Sequence, residues 1–259
     1  KNGLREYHLE AELLHEFRRH GAQFPAYTSI VAAGANACVL HYRAGNAELK
    51  PGQLCLIDAG CELDGYASDI TRTFPADGKF TSAQRTLYDI VQASQEAAIA
   101  ATRPGQRFND PHDAATRVLI EGMLDTGLLA KAKHGNVDDV LASGAYKQFY
   151  MHRTGHWMGM DVHDCGDYTE PGSTPQDSGE KDAQGQPILK KPSRILQPGM
   201  VLTVEPGLYV RPAPEVPEKF WDIGIRIEDD ALVTLDGCEL LTRGVPVKAD
   251  EIEALMRAH

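Results

Sequence analysis

The sequence predicts an α+β protein in which helices cover a strongly curved antiparallel sheet made of two related halves. The first observation is a repeat, because residues 50–60 and 197–207 both run from Pro-Gly through an apolar stretch to an acid two residues before glycine. The second is the order of patterns along the chain, which is helix, strands, helices, strands, helix. The third is the length of 259 residues, which allows one large domain, spanning 1–259, with a substantial core.

The first helix is predicted over 5–20, where Leu9, Leu13 and Phe17 fall at i, i+4 and i+8. Apolar and β-branched runs divided by Gly, Asn and Pro predict antiparallel strands over 27–74. Helical periodicity returns over four later stretches, 82–102, 111–128, 137–147 and 249–257. Strand-like segments resume near Gly159 and over 200–210, 223–234 and 239–242.

Loop composition gives two further predictions. Asn109 or Asp110 is expected to cap the helix at 111–128, with Pro111 in its first turn. Residues 166–194 are rich in Gly, Pro, Ser, Asp and Lys, so they are expected to form a long surface insertion. We assign that insertion no chemistry because its charges are expected to be solvated.

Composition excludes several classes of partner. Lys and Arg number 26 against 37 Asp and Glu, and the net charge of −11 opposes binding to nucleic acid. The five cysteines are an odd number without CxxC spacing, which disfavours a disulfide framework and indicates a reducing, cytoplasmic location. No apolar run approaches the roughly 18 residues of a membrane span, so no membrane partner is expected.

The first half of the chain carries two carboxylates that flank a predicted hairpin. Asp58 follows an apolar run, and a turn at Asp64 and Gly65 is expected to fold the chain back so that Asp69 begins the partner strand. A single Asp after a strand is usually a turn or capping residue. Two of them across one hairpin, with the first repeated as Glu205, favour a pair of metal ligands because a buried carboxylate is costly unless coordinated or paired.

The second half supplies Glu205 and then Arg226 and Glu228. Strand alternation places Arg226 and Glu228 on one face and the two neighbouring isoleucines on the other. A surface ion pair would also explain Arg226 and Glu228 taken alone. Alternation does not tell which face is buried.

Between the two halves lies a cluster of histidines. His152, His156 and His163 account for three of the ten histidines in the chain. Neutral imidazole is a common metal ligand and proton carrier. The spacing differs from the HExxH of a helical zinc site, so the cluster is interpreted as a loop and strand that line a pocket. Each histidine taken alone would more often be an ordinary core or surface residue.

Four converging carboxylates concentrate too much negative charge to share a pocket unpaired, because like charges force some of them to take protons. Two divalent cations, carrying four positive charges, would offset them. A donor set of oxygens with one nitrogen suits manganese, cobalt, zinc or iron better than a thiolate-seeking ion.

These residues, in this order, resemble the pita-bread metallopeptidases, which include methionine aminopeptidase, prolidase and aminopeptidase P. Among these the chain most resembles the catalytic domain of bacterial aminopeptidase P, and the likeness runs from about residue 7 to 255. Five segments carry it, namely 57–62, 68–74, 155–164, 202–209 and 224–230. The resemblance implies the pita-bread fold. It also implies a chain that lacks the family's N-terminal domain and first helix, with the full-length protein forming a homo-oligomer.

The resemblance implies a role for each ligand. Asp58 would bind one metal ion, Asp69 and Glu228 would bridge two, and His156 with Glu205 would bind the second. The ions would be two divalent cations, with Mn²⁺ the usual choice in the family and Co²⁺ or Zn²⁺ as alternatives.

The resemblance also implies groups on the substrate side. His41, His152 and His163 match histidines that contact the peptide around the scissile bond. Arg226 matches an arginine beside the bridging glutamate, expected to orient an acid through two parallel hydrogen bonds. Glu205 is expected to carry a proton to the leaving nitrogen.

The implied activity is hydrolysis of the bond between an N-terminal residue and a following proline. Its partners are peptides with proline at the second position. A prolidase restricted to Xaa-Pro dipeptides is the nearest alternative, disfavoured by Trp157 and by the context of Cys61 and Glu62. Another alternative is a relative without metal chemistry, such as a creatine-hydrolysing enzyme or an interaction module, which is disfavoured because all five ligand positions are retained.

Overall fold

A computed structural model describes residues 3–43, 45–181 and 184–258. Within these ranges the α-helices are α1 Glu6–Arg19, α2 Ser82–Ala101, α3 Asp110–Thr126, α4 Lys131–His134, α5 Val137–Ser143 and α6 Ala249–Arg257. The strands of the first half are β1 Phe24–Pro25, β2 Ile30–Ala33, β3 Leu54–Ala59, β4 Cys61–Leu63, β5 Tyr66–Ala67 and β6 Ile70–Pro75. The later strands are β7 Gln176–Lys181, β8 Pro187–Lys190, β9 Val201–Val204, β10 Gly207–Val210, β11 Ile223–Arg226, β12 Asp229–Val233 and β13 Cys238–Leu240.

The strands repeat one pattern in the two halves of the chain. β3 lies between β2 and β6 in one antiparallel sheet, and β12 lies between β13 and β9 in another. Asp58 lies in β3 and Asp69 immediately precedes β6, while Glu205 follows β9 and Glu228 immediately precedes β12. The sequence repeat therefore corresponds to two strand pairs of like construction, each bringing two acids to its ends.

Side chains of β6 join the two halves. The Thr71 backbone forms a bridge with Glu228, and the Thr73 hydroxyl donates to the Arg226 carbonyl at 2.9 Å. Arg72 is buried and forms an ion pair with the fully buried Asp229 at 2.8 Å. Asp229 also forms an ion pair with Arg243 at 3.0 Å, so two arginines compensate its buried charge. All four residues of β11 are buried, so both faces of the strand that carries Arg226 are covered.

The helices α2 and α3 pack together and cover the sheets from one side. The N-terminus of α2 is closed by a capping box, in which the Thr81 hydroxyl accepts from the Gln84 backbone and the Gln84 side chain accepts from the Thr81 backbone. The largest apolar core joins these helices to β10, β11 and α6 through buried side chains that include Leu87, Tyr88, Val91, Leu119, Ile120, Met123, Leu208, Ile225 and Ile252. Within the described ranges, every helix is too short or too polar to cross a lipid bilayer.

Most of the predicted helices are confirmed to within a few residues, and the exceptions have local causes. The stretch predicted at 137–147 is α5 followed by a short 3₁₀ helix, because Gly144 adopts the left-handed conformation and ends α5. The predicted strand near Gly159 was wrong, since only Trp157 makes a bridge there, to Leu202. Residues 166–194 contain a paired hairpin, β7 with β8, rather than an irregular loop.

The predicted cap of α3 is only partly correct. Asn109 occupies the capping position, but its side chain makes no capping hydrogen bond and its Oδ1 accepts instead from Arg153. The Asp110 carboxylate accepts from the Arg107 backbone outside the helix at 2.7 Å. Pro111 lies in the first turn, as predicted.

The predicted turn at Asp64 and Gly65 is confirmed. It joins β4 to β5, and both residues have positive φ, 52° and 84°. Positive φ at both central residues matches the right-handed twist of a tight hairpin. The turn brings the chain back so that Asp69 precedes β6, which pairs with β3.

Replacing Gly60 by alanine is expected to destabilise the fold between the two acids of the first half. An added Cβ at Gly60 would lie 1.6 Å from the carbonyl oxygen of Ser68, so β3 and the segment before β6 would have to separate. We expect the free energy of unfolding to fall by at least about 1–3 kcal/mol, measured by denaturant titration. Gly237→Ala is the matched control because no atom lies within 4 Å of its added Cβ. Equal stabilities of the two variants would contradict the prediction.

Candidate metal centre

One cavity of about 910 Å³ collects all the residues proposed for the site from the sequence. It is lined by the five proposed metal ligands and by the proposed substrate-side groups, namely His41, Asp58, Asp69, His152, His156, His163, Glu205, Arg226 and Glu228. They come from both halves of the chain and from the segment between them. The cavity therefore lies where the two strand pairs meet.

The first two acids face each other across β3 and β6. Asp58 and Asp69 are nearly fully buried, at 9% and 5% exposure. The Tyr27 hydroxyl bonds to Oδ1 of both, at 2.6 Å to Asp58 and at a shorter distance to Asp69. One hydroxyl proton can be donated to only one carboxylate at a time. The Oδ1 atoms of the two acids therefore share a single donor and would gain from a cation.

The third acid, Glu228, is the most deeply placed. It is 1% exposed, and its Oε2 accepts from the Thr71 hydroxyl at 2.6 Å. Within the described ranges, Asp69, His156 and Glu228 form a group whose potential ligand atoms all lie within 4.8 Å of one another. That spacing is small enough for one ion to contact all three.

His156 presents its Nε2 atom to the acids. Its Nδ1–H donates to the Trp157 carbonyl at 3.0 Å, which fixes the tautomer and leaves Nε2 as the ligand atom. Nε2 lies 3.5 Å from Asp69 Oδ2 and 3.7 Å from Glu205 Oε1. Burial lowers the pKa of His156, but the neighbouring Asp69 and Glu205 carboxylates outweigh that effect and raise it to about 9. An electron pair that attracts a proton so strongly can also bind a cation.

Gly155 allows His156 to reach this position. An added Cβ at Gly155 would lie 2.2 Å from the carbonyl oxygen of Thr203, so the segment before His156 packs directly on β9. The His156 backbone N–H donates to the Thr203 hydroxyl at 3.1 Å, and the Glu205 N–H donates to the Thr154 carbonyl at 2.8 Å. The two ligands are thus fixed relative to each other by backbone pairing.

The charges of the cluster are unbalanced without a cation. Burial raises the pKa of Glu205 to about 7, against the opposing charges of His156 and Arg226. Burial, with the charges of Asp69 and Glu205, raises the pKa of Glu228 well above its ordinary value. Burial also raises the pKa of Asp58, although Arg226 opposes the rise. Desolvated carboxylates that repel one another, with one imidazole nitrogen among them, form a donor set that fits divalent cations.

Arg226 contacts an acid from the other half of the molecule, and the expected pair of parallel hydrogen bonds was wrong. Its NH2 donates to a single oxygen, Asp58 Oδ2. NH1 donates to the Tyr209 hydroxyl at 3.0 Å and Nε to the Thr71 hydroxyl at 3.3 Å. The guanidinium therefore donates one hydrogen bond to each of three partners rather than two to a single acid.

Tyr209 links Arg226 to His152. Its hydroxyl accepts from Arg226 and lies 2.8 Å from His152 Nε2, while His152 Nδ1 donates to the Arg153 carbonyl at 2.7 Å. Tyr209 therefore donates its proton to His152 Nε2, and the imidazole is neutral. Burial, with the charge of Arg226, lowers the pKa of His152 to about 3.

His41 and His163 lie at the open side of the cavity. The rings of His163 and His156 approach edge to face, with centroids 4.2 Å apart. Burial, with the charge of His156, lowers the pKa of His163. His41 is exposed within the cavity wall. Both line the cavity that contains the four acids.

Two residues of the site, Tyr27 and Thr71, were not predicted from the sequence. Thr71 could have been found, because it lies two positions after Asp69 in a strand and so shares its face. Tyr27 lies outside any strand, and its contacts with Asp58 and Asp69 join residues 31 and 42 positions apart. No periodicity signals such a contact.

His112, behind the cavity wall, is expected to make the protein sensitive to acid. Its Nδ1 lies 3.0 Å from the Thr154 hydroxyl, and burial, with the charges of Arg153 and Lys147, lowers its pKa to about 4 from 6.5. A lowered pKa contributes stability that is complete above pH 6.5 and is lost as the pH falls through about 4. Between pH 7 and 4.5, metal-free protein should lose roughly 2–3 kcal/mol from this group.

The measurement is denaturant unfolding of the wild type and of His112→Asn at both pH values. The variant should lose less stability between them, whereas His134→Asn should match the wild type because, within the described ranges, the partly buried His134 side chain makes no hydrogen bond like that of His112 to Thr154. An identical pH dependence in His112→Asn and the wild type would contradict the assignment.

Comparison with known proteins identifies the family of the chain. Residues 1–235 match the model of metallopeptidase family M24, and the chain belongs to that family. It is 48% identical over 256 residues to Xaa-Pro aminopeptidase of Escherichia coli K12, covering 99% of this chain. A solved structure of Pseudomonas aeruginosa aminopeptidase PepP matches with a TM-score of 0.87 and 52% identity over the whole chain. Human Xaa-Pro dipeptidase is 39% identical over 278 residues.

The chain spans about half the length of these relatives, 53% of the bacterial sequence, 53% of the solved chain and 54% of the human sequence. The structural match extends over all of this chain. The predicted α+β class and pita-bread fold are confirmed by it.

Proposed function

We propose that this chain is the catalytic part of a Xaa-Pro aminopeptidase, which releases an N-terminal residue that precedes proline. The observation that carries the proposal is the convergence of Asp58, Asp69, His156, Glu205 and Glu228 on one cavity. The relatives named Xaa-Pro aminopeptidase support it through identity over nearly the whole chain.

The five ligands would hold two divalent cations, and we favour Mn²⁺ over Co²⁺ or Zn²⁺. Divalent cations fit this site because its buried carboxylates outnumber its one fully buried cation among the described residues, Arg226. When bound, such cations supply Lewis acidity and lower the pKa of water. Asp69 and Glu228 would serve both ions, Asp58 would hold one of them, and His156 with Glu205 would hold the other.

Glu205 is assigned as the proton carrier. Its side chain is 17% exposed, so it reaches the cavity, and its Oε1 and Oε2 lie 3.7 Å from His156 and 3.9 Å from His152. Hydrolysis adds the hydroxyl of water to the carbonyl carbon, breaks the C–N bond and delivers the remaining proton to the proline nitrogen. Glu205 takes that proton from water and transfers it to nitrogen.

The histidines on the open side are assigned to the peptide. His163 or His41 would donate to the carbonyl oxygen as it gains charge, which would lower the barrier to attack. His152, held neutral by Tyr209, forms the wall beside them. Proline has no N–H, so recognition relies on the fit of its ring rather than on a backbone hydrogen bond.

The experiment compares a Xaa-Pro-Pro tripeptide with a Xaa-Pro dipeptide, using Mn²⁺-loaded protein and steady-state kinetics. The proposal predicts a higher kcat/KM for the tripeptide. A strong preference for the dipeptide would instead favour a prolidase, the activity for which the human relative is named. Failure to cleave either peptide, with less than one ion bound per chain, would favour an interaction module.

We further propose a reducing, cytoplasmic location and a homo-oligomeric full-length protein. All five cysteines are free, which suits a compartment that keeps thiols reduced. Size-exclusion chromatography with light scattering tests the assembly, and a single chain per particle for the full-length protein would contradict it.

A further inference from the structure

A second buried carboxylate lies outside the metal centre, at the start of α1. The Glu6 side chain is completely buried. Within the described part of the chain, no lysine, arginine or histidine forms an ion pair with it. Burying a carboxylate without a cation is costly unless hydrogen bonds replace its water. Glu6 must therefore obtain its stabilisation from neutral donors.

Five donors surround the Glu6 carboxylate, and all belong to one segment of the chain. Oε1 accepts from the Ala33 backbone at 2.9 Å and from the Asn36 amide at 2.8 Å. Oε2 accepts from the Tyr42 hydroxyl at 2.8 Å and from the backbones of Gly45 at 3.1 Å and Ala47 at 3.3 Å. One side chain thus gathers both ends of the segment that runs from β2 to residue 47.

This segment forms a wall of the metal cavity. Leu40, His41, Tyr42 and Arg43 all line it. Their backbone belongs to no strand or regular helix, so neighbouring strands do not hold it. His41 lies one residue before Tyr42, whose hydroxyl is bound by Glu6.

A second anchor holds the other side of His41. The Arg211 guanidinium donates twice to the Cys38 carbonyl, at 3.1 and 2.6 Å. Next to it, an added Cβ at Gly224 would lie 2.3 Å from the Ala37 carbonyl oxygen, so this part of the segment packs directly on β11. His41 therefore lies between two residues that other parts of the chain hold in place, Cys38 and Tyr42.

We propose that Glu6 is a positioning residue for the peptidase reaction, which acts by holding His41 at the substrate side of the metal cavity. The inference rests on the proposed function, because it assigns His41 to the peptide. Glu6 touches neither substrate nor metal ligands. Glu6 would act on catalysis through the segment 33–47, because a shift of this segment would move His41. A small displacement of a group that contacts the substrate lowers the rate even when the mutation lies far from the reaction.

The test is Glu6→Gln combined with His41→Ala. Glu6→Gln replaces one carboxylate oxygen by an amide NH₂, which cannot accept a hydrogen bond. That NH₂ must face either the backbone N–H of Ala33 or the backbone N–H groups of Gly45 and Ala47. We expect kcat/KM for a Xaa-Pro-Pro peptide to fall about tenfold, with the same division between KM and kcat as in His41→Ala and with unchanged Mn²⁺ content. In the His41→Ala background, Glu6→Gln should cause little further loss.

Two other variants complete the design. Glu12→Gln, an exposed glutamate on the same helix, is the matched control and should keep wild-type kinetics. Tyr42→Phe removes one of the five donors and leaves the Glu6 carboxyl group in place, so it should lower kcat/KM in the same direction by a smaller factor. This variant tests the proposal if Glu6→Gln does not fold.

Independent, multiplying losses in Glu6→Gln and His41→Ala would overturn the positioning role, as would wild-type kinetics in both Glu6→Gln and Tyr42→Phe. A wild-type protein that binds Mn²⁺ but cleaves no Xaa-Pro peptide would defeat the proposed function itself, and with it the role of His41. The wild-type measurement thus separates the two failures.

Discussion

Replacing Glu205 by glutamine lowers kcat for a Xaa-Pro-Pro peptide by roughly 10²- to 10⁴-fold, the range that general acid–base catalysis contributes. The amide cannot take a proton from water or give one to the proline nitrogen. The fold should stand, because the Glu205 side chain is partly exposed and its contacts with the Thr203 hydroxyl, His156 and His152 are long, at 3.5, 3.7 and 3.9 Å. Steady-state kinetics at saturating Mn²⁺ and circular dichroism measure the two effects.

Glu239→Gln provides the matched control for this prediction, since Glu239 is an exposed glutamate on β13 of the same sheet as β9. It should retain the wild-type kcat. Because Glu205 is also assigned as a metal ligand, metal content is measured in parallel. A wild-type kcat in Glu205→Gln with full metal content would remove Glu205 from the proton transfer.

Replacing Asp69 by asparagine abolishes the stabilisation that metal gives the wild type. A ligand at about 100 times its dissociation constant stabilises the folded state by about 2.7 kcal/mol. Asp69 lies close enough to His156 and Glu228 to bind the same ion. Replacing its carboxylate by a neutral amide weakens that binding, so the Mn²⁺ affinity should fall by more than about 100-fold. The melting temperature with and without Mn²⁺ measures the difference.

Without metal, the same substitution should not destabilise the protein strongly, since it removes one of the mutually repelling carboxylates. The stability defect should therefore appear only when Mn²⁺ is present. Asp167→Asn, at an exposed aspartate, should show the full wild-type response to Mn²⁺. An equal rise in melting temperature in Asp69→Asn and the wild type would exclude Asp69 as a ligand.

The sequence repeat predicted that acids from the two halves converge, because it reflects the construction of the sheet. Asp58 and Glu205 occupy the same position after matching apolar runs, and the structure places both on the same cavity. Asp69 and Glu228 fall outside the repeated motif. Their equivalence appears only in the structure, where each immediately precedes the strand that pairs with the repeat, β6 or β12.

Contacts between distant parts of the chain were not predictable in the same way. Strand alternation places Arg226 on a face, but its partner Asp58 lies 168 positions away in the other half. Glu6 shows the same limit. As an acid in the first turn of a helix it is compatible with a favourable interaction with the helix dipole at the surface. The structure instead buries it completely under the segment that carries His41.

The most direct test of the proposed two-ion site is a calorimetric titration of metal-free protein with Mn²⁺, carried out on the wild type and on Glu228→Gln. Elemental analysis of the loaded samples accompanies it. Glu228 is 1% exposed and lies within the group that includes Asp69 and His156. The proposed site predicts two ions per wild-type chain and a loss of tight Mn²⁺ binding in Glu228→Gln. Less than one ion per wild-type chain, or equal binding by the two proteins, would contradict it.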